Sequence, residues 1–378
     1  MMKQCPDLFP FSRQPVAGSQ KRFLGVWHFG CFLLVSCFLM ILPASTYGED
    51  SSAAHSGLSN ITTPKPVSGV SVSRETIRSA DVLARITLVL EAIEQIRSQI
   101  GRYHTHPMKI TVTNSSPRDG YFQALTLVQK ANRLSHELTG KRGPQPDPND
   151  VEIDEIRPYH KWILVEAAYE RLLFVGQRLK VKMPTKEKLQ DPATTSDQVF
   201  QKLFEANRRL VNLMLSERIQ SSDVFWVVSE ASDFAADLLA TFPGSAPPTE
   251  PIFVSGKEPI DNYRRLIECQ ELIESIAVQS GVHTATVKAI LTAQDEVLPS
   301  DVFNFAKKIL GDMAYFHALE KSPLPLAVIP VPPSMENPAG RKFPSHVYQR
   351  AGLLRHQLEV IQTLVRANPN WHKKIRTE

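Results

Sequence analysis

The chain is predicted to be all-α: an eight-helix internal repeat of about 40 residues per copy, arranged as two tandem four-helix bundles behind a secretory signal or anchor segment. Three observations carry this. One pattern of apolar residues recurs eight times along the 378 residues. Every copy opens on the same kind of helix start. The copies are evenly spaced except for one short step in the middle.

The first residue of each apolar pattern is Leu83, Tyr121, Trp162, Phe200, Phe225, Tyr263, Phe303 and Tyr348. From each of these, steps of three, three, four and three residues reach a further apolar side chain every time, as in Phe303, Ala306, Ile309, Met313 and Phe316. None of these forty positions is polar, although only 42% of the chain is hydrophobic. That spacing keeps all five positions on one face of an α-helix. Four residues upstream of each first position stands Ser or Pro: Ser79, Pro117, Pro158, Ser196, Ser221, Pro259, Pro299 and Pro344. Ser is expected to cap the free N–H groups of the first turn, and Pro to fill a position whose N–H has no partner in any case. Two residues upstream the side chain is acidic in five copies (Asp81, Asp119, Asp223, Asp261 and Asp301), with His160, Gln198 and His346 in the others. A carboxylate there suits the positive end of the helix dipole.

Taken in order, residues 1–48 read as a signal peptide or uncleaved membrane anchor. Lys21 and Arg22 precede an apolar run from Phe23 to Pro43, and small residues follow, with cleavage expected after Gly48. An uncleaved span would hold its N-terminus in the cytoplasm through Lys21 and Arg22. Leu34 to Cys37 resembles a lipobox, but the apolar residues after Cys37 fit one poorly. Residues 49–76 form a Ser/Thr/Pro-rich stalk containing the sequon Asn60-Ile-Thr. The first bundle is expected over 77–219, with helices at 78–100, 118–139, 158–180 and 196–218. The second occupies 220–367, with helices at 222–240, 260–280, 300–320 and 345–367, before a basic tail at 368–378. A single right-handed solenoid of helix pairs is the alternative architecture. Successive first positions lie 38, 41, 38, 25, 38, 40 and 45 residues apart, and the short central step favours two bundles. A tight turn at 218–222, laying helix five antiparallel to helix four, is expected there in preference to one continuous helix.

The net charge of +4 falls to +1 without residues 1–48, which removes any argument for nucleic acid. Cys5, Cys31 and Cys37 belong to the N-terminal segment, leaving Cys269 as an inert core thiol. Two pairs have the spacing that sets two metal ligands on one helix face, His317 with Glu320 and His356 with Glu359, and His104 with His106 forms a loop pair. All lie off the core positions, so no metal, cofactor or catalytic residue is assigned. The chain contains no Gly-rich phosphate loop, G-x-S-x-G, H-E-x-x-H or C-x-x-C. The expectation is an exported, non-enzymatic binding module of periplasmic or other extracytoplasmic location. Its partner would be another envelope protein, met by long connections gathered at the bundle ends, with membrane contact only through the N-terminal segment if uncleaved. A bundle carrying a small ligand, and a metal-dependent enzyme using the His/Glu pairs, are the rival functions.

Overall fold

The computed structural model describes residues 76–103, 110–143, 153, 155–214, 219–289, 296–321 and 341–373. The signal or anchor segment, the stalk and the His104/His106 pair lie outside them. Among the described residues the chain is overwhelmingly helical, with eight α-helices: α1 (Ser79–Gln99), α2 (Pro117–Thr139), α3 (Pro158–Arg178), α4 (Ser196–Val211), α5 (Ser221–Ala240), α6 (Pro259–Ser280), α7 (Pro299–Lys321) and α8 (Pro344–Ala367). Two short strands, β1 (Ile110–Thr113) and β2 (Thr286–Ala289), pair antiparallel with Ile110 opposite Ala289. No helix among the described residues is long and apolar enough to cross a membrane.

Each helix begins at the Ser or Pro of the start signature. The serines therefore sit inside the first turn, one residue later than a capping position. The capping is done by the side chain two residues on. Asp81, Asp119, His160, Gln198, Asp223, Asp261, Asp301 and His346 each accept the N–H of the residue before the helix, at 2.7–3.1 Å. This satisfies a donor that helix geometry leaves without an intrahelical partner. At α4 Thr195 completes the reciprocal bond, accepting from the Gln198 N–H at 3.3 Å.

The last four apolar positions of every copy are at most 1% exposed, from Ile86 through Ile361. The first position divides: Tyr121, Phe200, Tyr263 and Phe303 are buried, whereas Leu83, Trp162, Phe225 and Tyr348 are half-buried. Helix packing closes two rings. α1 packs on α3, α3 on α2, α2 on α4 and α4 on α1; likewise α5 on α7, α7 on α6, α6 on α8 and α8 on α5.

Side-chain pairs show that helices within a ring run in the same direction. Between α6 and α8, the Cys269 thiol meets the Ala351 carbonyl at 3.7 Å, and further along Gln362 donates to Ser275 at 2.7 Å. Between α5 and α7, Lys307 faces Trp226 at 5.8 Å and His317 faces Phe234 at 5.3 Å. Between α2 and α3, Gly120 lies against Lys161 and Asn132 accepts from Arg171 at 3.0 Å. The start of α4 adjoins the start of α2, where the Ser115 N–H donates to Asp197 at 2.6 Å. Parallel neighbours force each connection to run back along the bundle. Within a ring the connections are 17 to 22 residues long, enough to cover a helix of about 30 Å. They are therefore not gathered at the bundle ends as expected.

The connection between α4 and α5 has nine residues. α4 stops at Val211, short of the expected 218, because the Leu213 and Met214 N–H groups fold back onto Leu210 and Val211 in tight turns. Both side chains remain fully buried, so apolar periodicity runs past the helix end. The two helices are not continuous, and α5 packs on α7 and α8 rather than along α4.

The second ring meets the first mainly through α2 and α7. Here the sense is antiparallel: Arg118 lies over Tyr315 at 3.5 Å, Phe122 lies on Gly311, and Lys130 reaches Asn304 at 2.5 Å. A Cβ at Gly311 would stand 2.6 Å from the Phe122 ring. Gly311→Ala should therefore destabilise the protein by about 1–3 kcal/mol through overpacking, despite a gain of about 1 kcal/mol in helix propensity. Denaturant unfolding checks this; an unchanged or raised midpoint would contradict the close approach.

Candidate functional site

Every residue of α7 from Ser300 to Ala314 is buried, because the helix is enclosed by α5 and α6 on one side and α2 and α4 on the other. Its apolar stripe accounts for one face. The remainder buries Asp301, Asn304, Lys307, Lys308 and Asp312, each at most 3% exposed. Buried polar groups need partners, and most come from the other ring. Asp301 accepts from Arg208 at 3.0 Å while capping its own helix. Lys130 of α2 donates to Asn304 Oδ1 at 2.5 Å and to the Asn207 carbonyl at 3.2 Å. Gln123 donates to the Asn304 carbonyl at 3.0 Å and accepts on its own carbonyl from Asn207 at 2.8 Å. Arg133 of α2 pairs with Asp223 at the start of α5, at 2.6 Å. Lys308 pairs with Asp312 within α7 at 2.7 Å.

Burial dominates the proton affinities in this seam. It lowers Lys130 to about 7, against the pull of Asp301 and with a further push from Arg133. Lys307 falls to about 8, opposed by Glu230. Lys161 on α3, fully buried against Gly120, also falls to about 8, opposed by Asp119. Asp312 rises to about 6 by burial, opposed by Lys308. A lysine near neutrality is a usable base or nucleophile only where a substrate atom can reach it. Lys130 is 1% exposed and its ammonium is spent on Asn207 and Asn304. It is built into the junction of the two rings rather than presented to a solute.

The metal-spaced pairs separate. His356 and Glu359 of α8 line a surface groove of about 550 Å³ with Pro248, Thr249, Val360, Thr363 and Leu364. Glu359 is paired there with Arg355 at 2.8 Å. His317 lies 3.7 Å from Asp237 and packs on Phe234; the side chain of Glu320 is outside the described residues. Among those residues, no group of three His, Cys, Asp or Glu side chains is placed to hold a metal ion. Cys269 is fully buried, and burial raises its thiol well above the usual range.

The buried seam was missed by sequence reasoning because Lys307, Lys308 and Asp312 occupy what a single apolar stripe assigns to solvent. A signal was present in Val302, Phe305 and Leu310, which fill and widen the apolar stripe of α7 to nearly half the helix circumference. No protein family, curated protein or solved structure matches the chain.

The seam gives an unusual pH dependence. Buried lysines bind their protons more weakly in the folded chain, so stability is lost as pH falls from the free-lysine value of 10.5 through the folded values. Melting temperature should therefore rise between pH 7 and 9. Lys130→Met should reduce the rise between 7 and 8, leaving the contribution of Lys161 and Lys307, which begins below 8 and continues above it. A wild-type curve flat from 7 to 9 would contradict this.

Proposed function

We propose that the chain is an exported, non-catalytic binding module built by duplication of one four-helix bundle, which meets another envelope protein through its long returns. The observation that carries the proposal is the division of labour among side chains. Buried charged side chains such as Lys130 and Asp301 are spent on joining the two rings, whereas large apolar side chains stand exposed on the returns. Leu189, in the return from α3 to α4, is fully exposed. That return is held against α1 by Glu187 on Arg85 at 2.7 Å and Lys188 on Glu91 at 2.5 Å. It is thus a fixed surface, and fixed surfaces bind without an ordering cost. Duplication is supported by the ring order, since 1-3-2-4 becomes 5-7-6-8 when each helix number is raised by four. Export is supported by the order of charged, apolar and small residues over positions 21–48.

A second reading has its own observation. The groove beside His356 and Glu359 is large enough for a small ligand, with apolar walls and the polar side chains of Thr249, His356, Glu359 and Thr363. Native mass spectrometry of the purified protein distinguishes it by a mass increment lost on His356→Ala.

The binding proposal is tested by placing a photoreactive residue at Leu189 in the protein expressed in its own compartment. One discrete protein adduct is expected, absent when the residue is placed at the buried Leu172. No adduct, or the same smear from both positions, would overturn the proposal.

A further inference from the structure

We propose that the end of the second ring where α5, α6 and α8 begin is a contact surface for an anionic lipid bilayer. The proposal extends the reading of the chain as an exported binding module, and gives the second ring an occupant different from that of Leu189.

Ile252 is 90% exposed, Phe343 54%, Phe253 46% and Val254 45%. Phe253 and Phe343 form one patch, because both pack on His346, at 5.1 and 5.9 Å, and Ile252 and Val254 flank Phe253 in the chain. Isolated exposed apolar residues are ordinary, but a contiguous cluster calls for something to cover it. The patch is carried by the return from α5 to α6, which runs down α8. Gln349 donates to the Pro251 carbonyl at 2.9 Å, Pro251 lies against Gly352, and the Lys257 N–H reaches Ser345 at 3.1 Å. Pinned at both ends, the segment projects Ile252 outward from a rigid base.

Cations surround these tips, and aromatic rings hold them in place. Lys257 lies over Tyr348 at 4.5 Å, Lys342 over Phe225 at 4.7 Å, and Arg341 over Phe343 at 5.8 Å. Arg350 shares the Phe225 ring at 5.4 Å, and its charge is partly met by Glu250 at 3.7 Å. Among the described residues, Asp223, Glu258 and the capping Asp261 are also acidic and near the patch; Asp223 is paired with Arg133, and all three sit at helix starts, where the dipole offsets them. Among the described residues, Lys257, Arg341 and Lys342 therefore remain as cations with no carboxylate within ion-pair distance, on the same face as the apolar tips. Apolar side chains that project beyond basic ones match the layers of a bilayer: acyl chain below, phosphate above. Basic residues at that level are attracted by anionic headgroups and not by neutral ones. A protein partner would meet the same apolar tips without requiring the basic surround, so the charge is what decides for lipid.

The test uses the full chain with vesicles of phosphatidylcholine, alone or mixed equally with phosphatidylglycerol. Residues 23–43 can themselves enter lipid, so the readout must report the patch. Ile252→Trp adds a fluorophore at the tip, and quenching by lipids brominated on their acyl chains is compared with that of the wild type. The expected result is added quenching only in the anionic vesicles, lost at high salt. Ile252→Ser with Phe253→Ser should weaken vesicle binding about tenfold or more, and Arg341→Glu with Lys342→Glu by a similar factor. Equal binding by all variants with no added quenching would overturn the proposal, assigning lipid contact to residues 23–43 alone. So would a discrete protein adduct from a photoreactive residue at Phe253 in the native compartment. Failure at Leu189 with success here would remove the protein partner and leave the lipid contact standing.

Discussion

Parallel packing is the constraint from which the rest of this structure follows. When neighbouring helices of a bundle run in the same direction, each connection must travel back the length of the helix just completed. The unit of the chain is therefore a helix plus its return, which is why the copies recur at 38 to 45 residues rather than at helix length plus a short loop. It also explains why every helix carries its own start signal. A chain arriving from an extended return has no preceding turn to donate to, so the exposed N–H groups must be met locally. In all eight helices the third residue meets one of them. Four aligned helix dipoles in one ring also repel, and first-turn carboxylates at Asp81, Asp119, Asp223, Asp261 and Asp301 reduce that repulsion.

The nine-residue step between α4 and α5 is the one place where the rule is broken. Too short for a return, it starts the second ring beside the end of the first. The second ring then points the other way, as the antiparallel run of α2 against α7 requires. That docking explains the composition of α7. A helix that serves as a wall of its own ring and also as the face offered to the other has no solvent side. Its polar residues are met by Lys130, Gln123, Asn207 and Arg208 from the first ring. Such a seam adds little net stability against an apolar alternative, since desolvation offsets much of the attraction. It does define a unique pairing, because a shift of one helical turn would leave Lys130 and Asp301 unpaired.

The apolar register was legible in the sequence at the last four positions of each copy and less so at the first, which is half-buried in four copies. Periodicity reports directly on burial, and the last four positions of each copy are all in the core. Helix starts were legible to within one residue because Pro and Asp act locally. Helix direction was not, since a stripe looks the same whichever way its neighbours run. The return lengths held that information: 17 or more residues between helices is far longer than an antiparallel hairpin needs. The end of α4 was misplaced because Leu213 and Met214 are buried without being helical. β2 carries no pattern beyond Thr286-Val-Lys-Ala, and its pairing with Ile110–Thr113 depends on the approach of two distant returns. On the candidate sites, His356 and Glu359 do share a groove, but the exposed patch at Ile252 was invisible as such. Ile-Phe-Val reads as core wherever it occurs.

The parallel sense of the helices is tested most directly by distances between spin labels on the second ring. With Cys5, Cys31 and Cys37 replaced by Ser and Cys269 by Ala, one label is placed at Glu258→Cys, just before α6. The second is placed at Phe343→Cys, just before α8, or at Asn368→Cys, just after it. The parallel arrangement predicts that the first pair is close and that the second is separated by roughly a helix length, about 30 Å. The reverse order, a long distance to position 343 and a short one to 368, would mean that α6 and α8 are antiparallel and would contradict the account at its base.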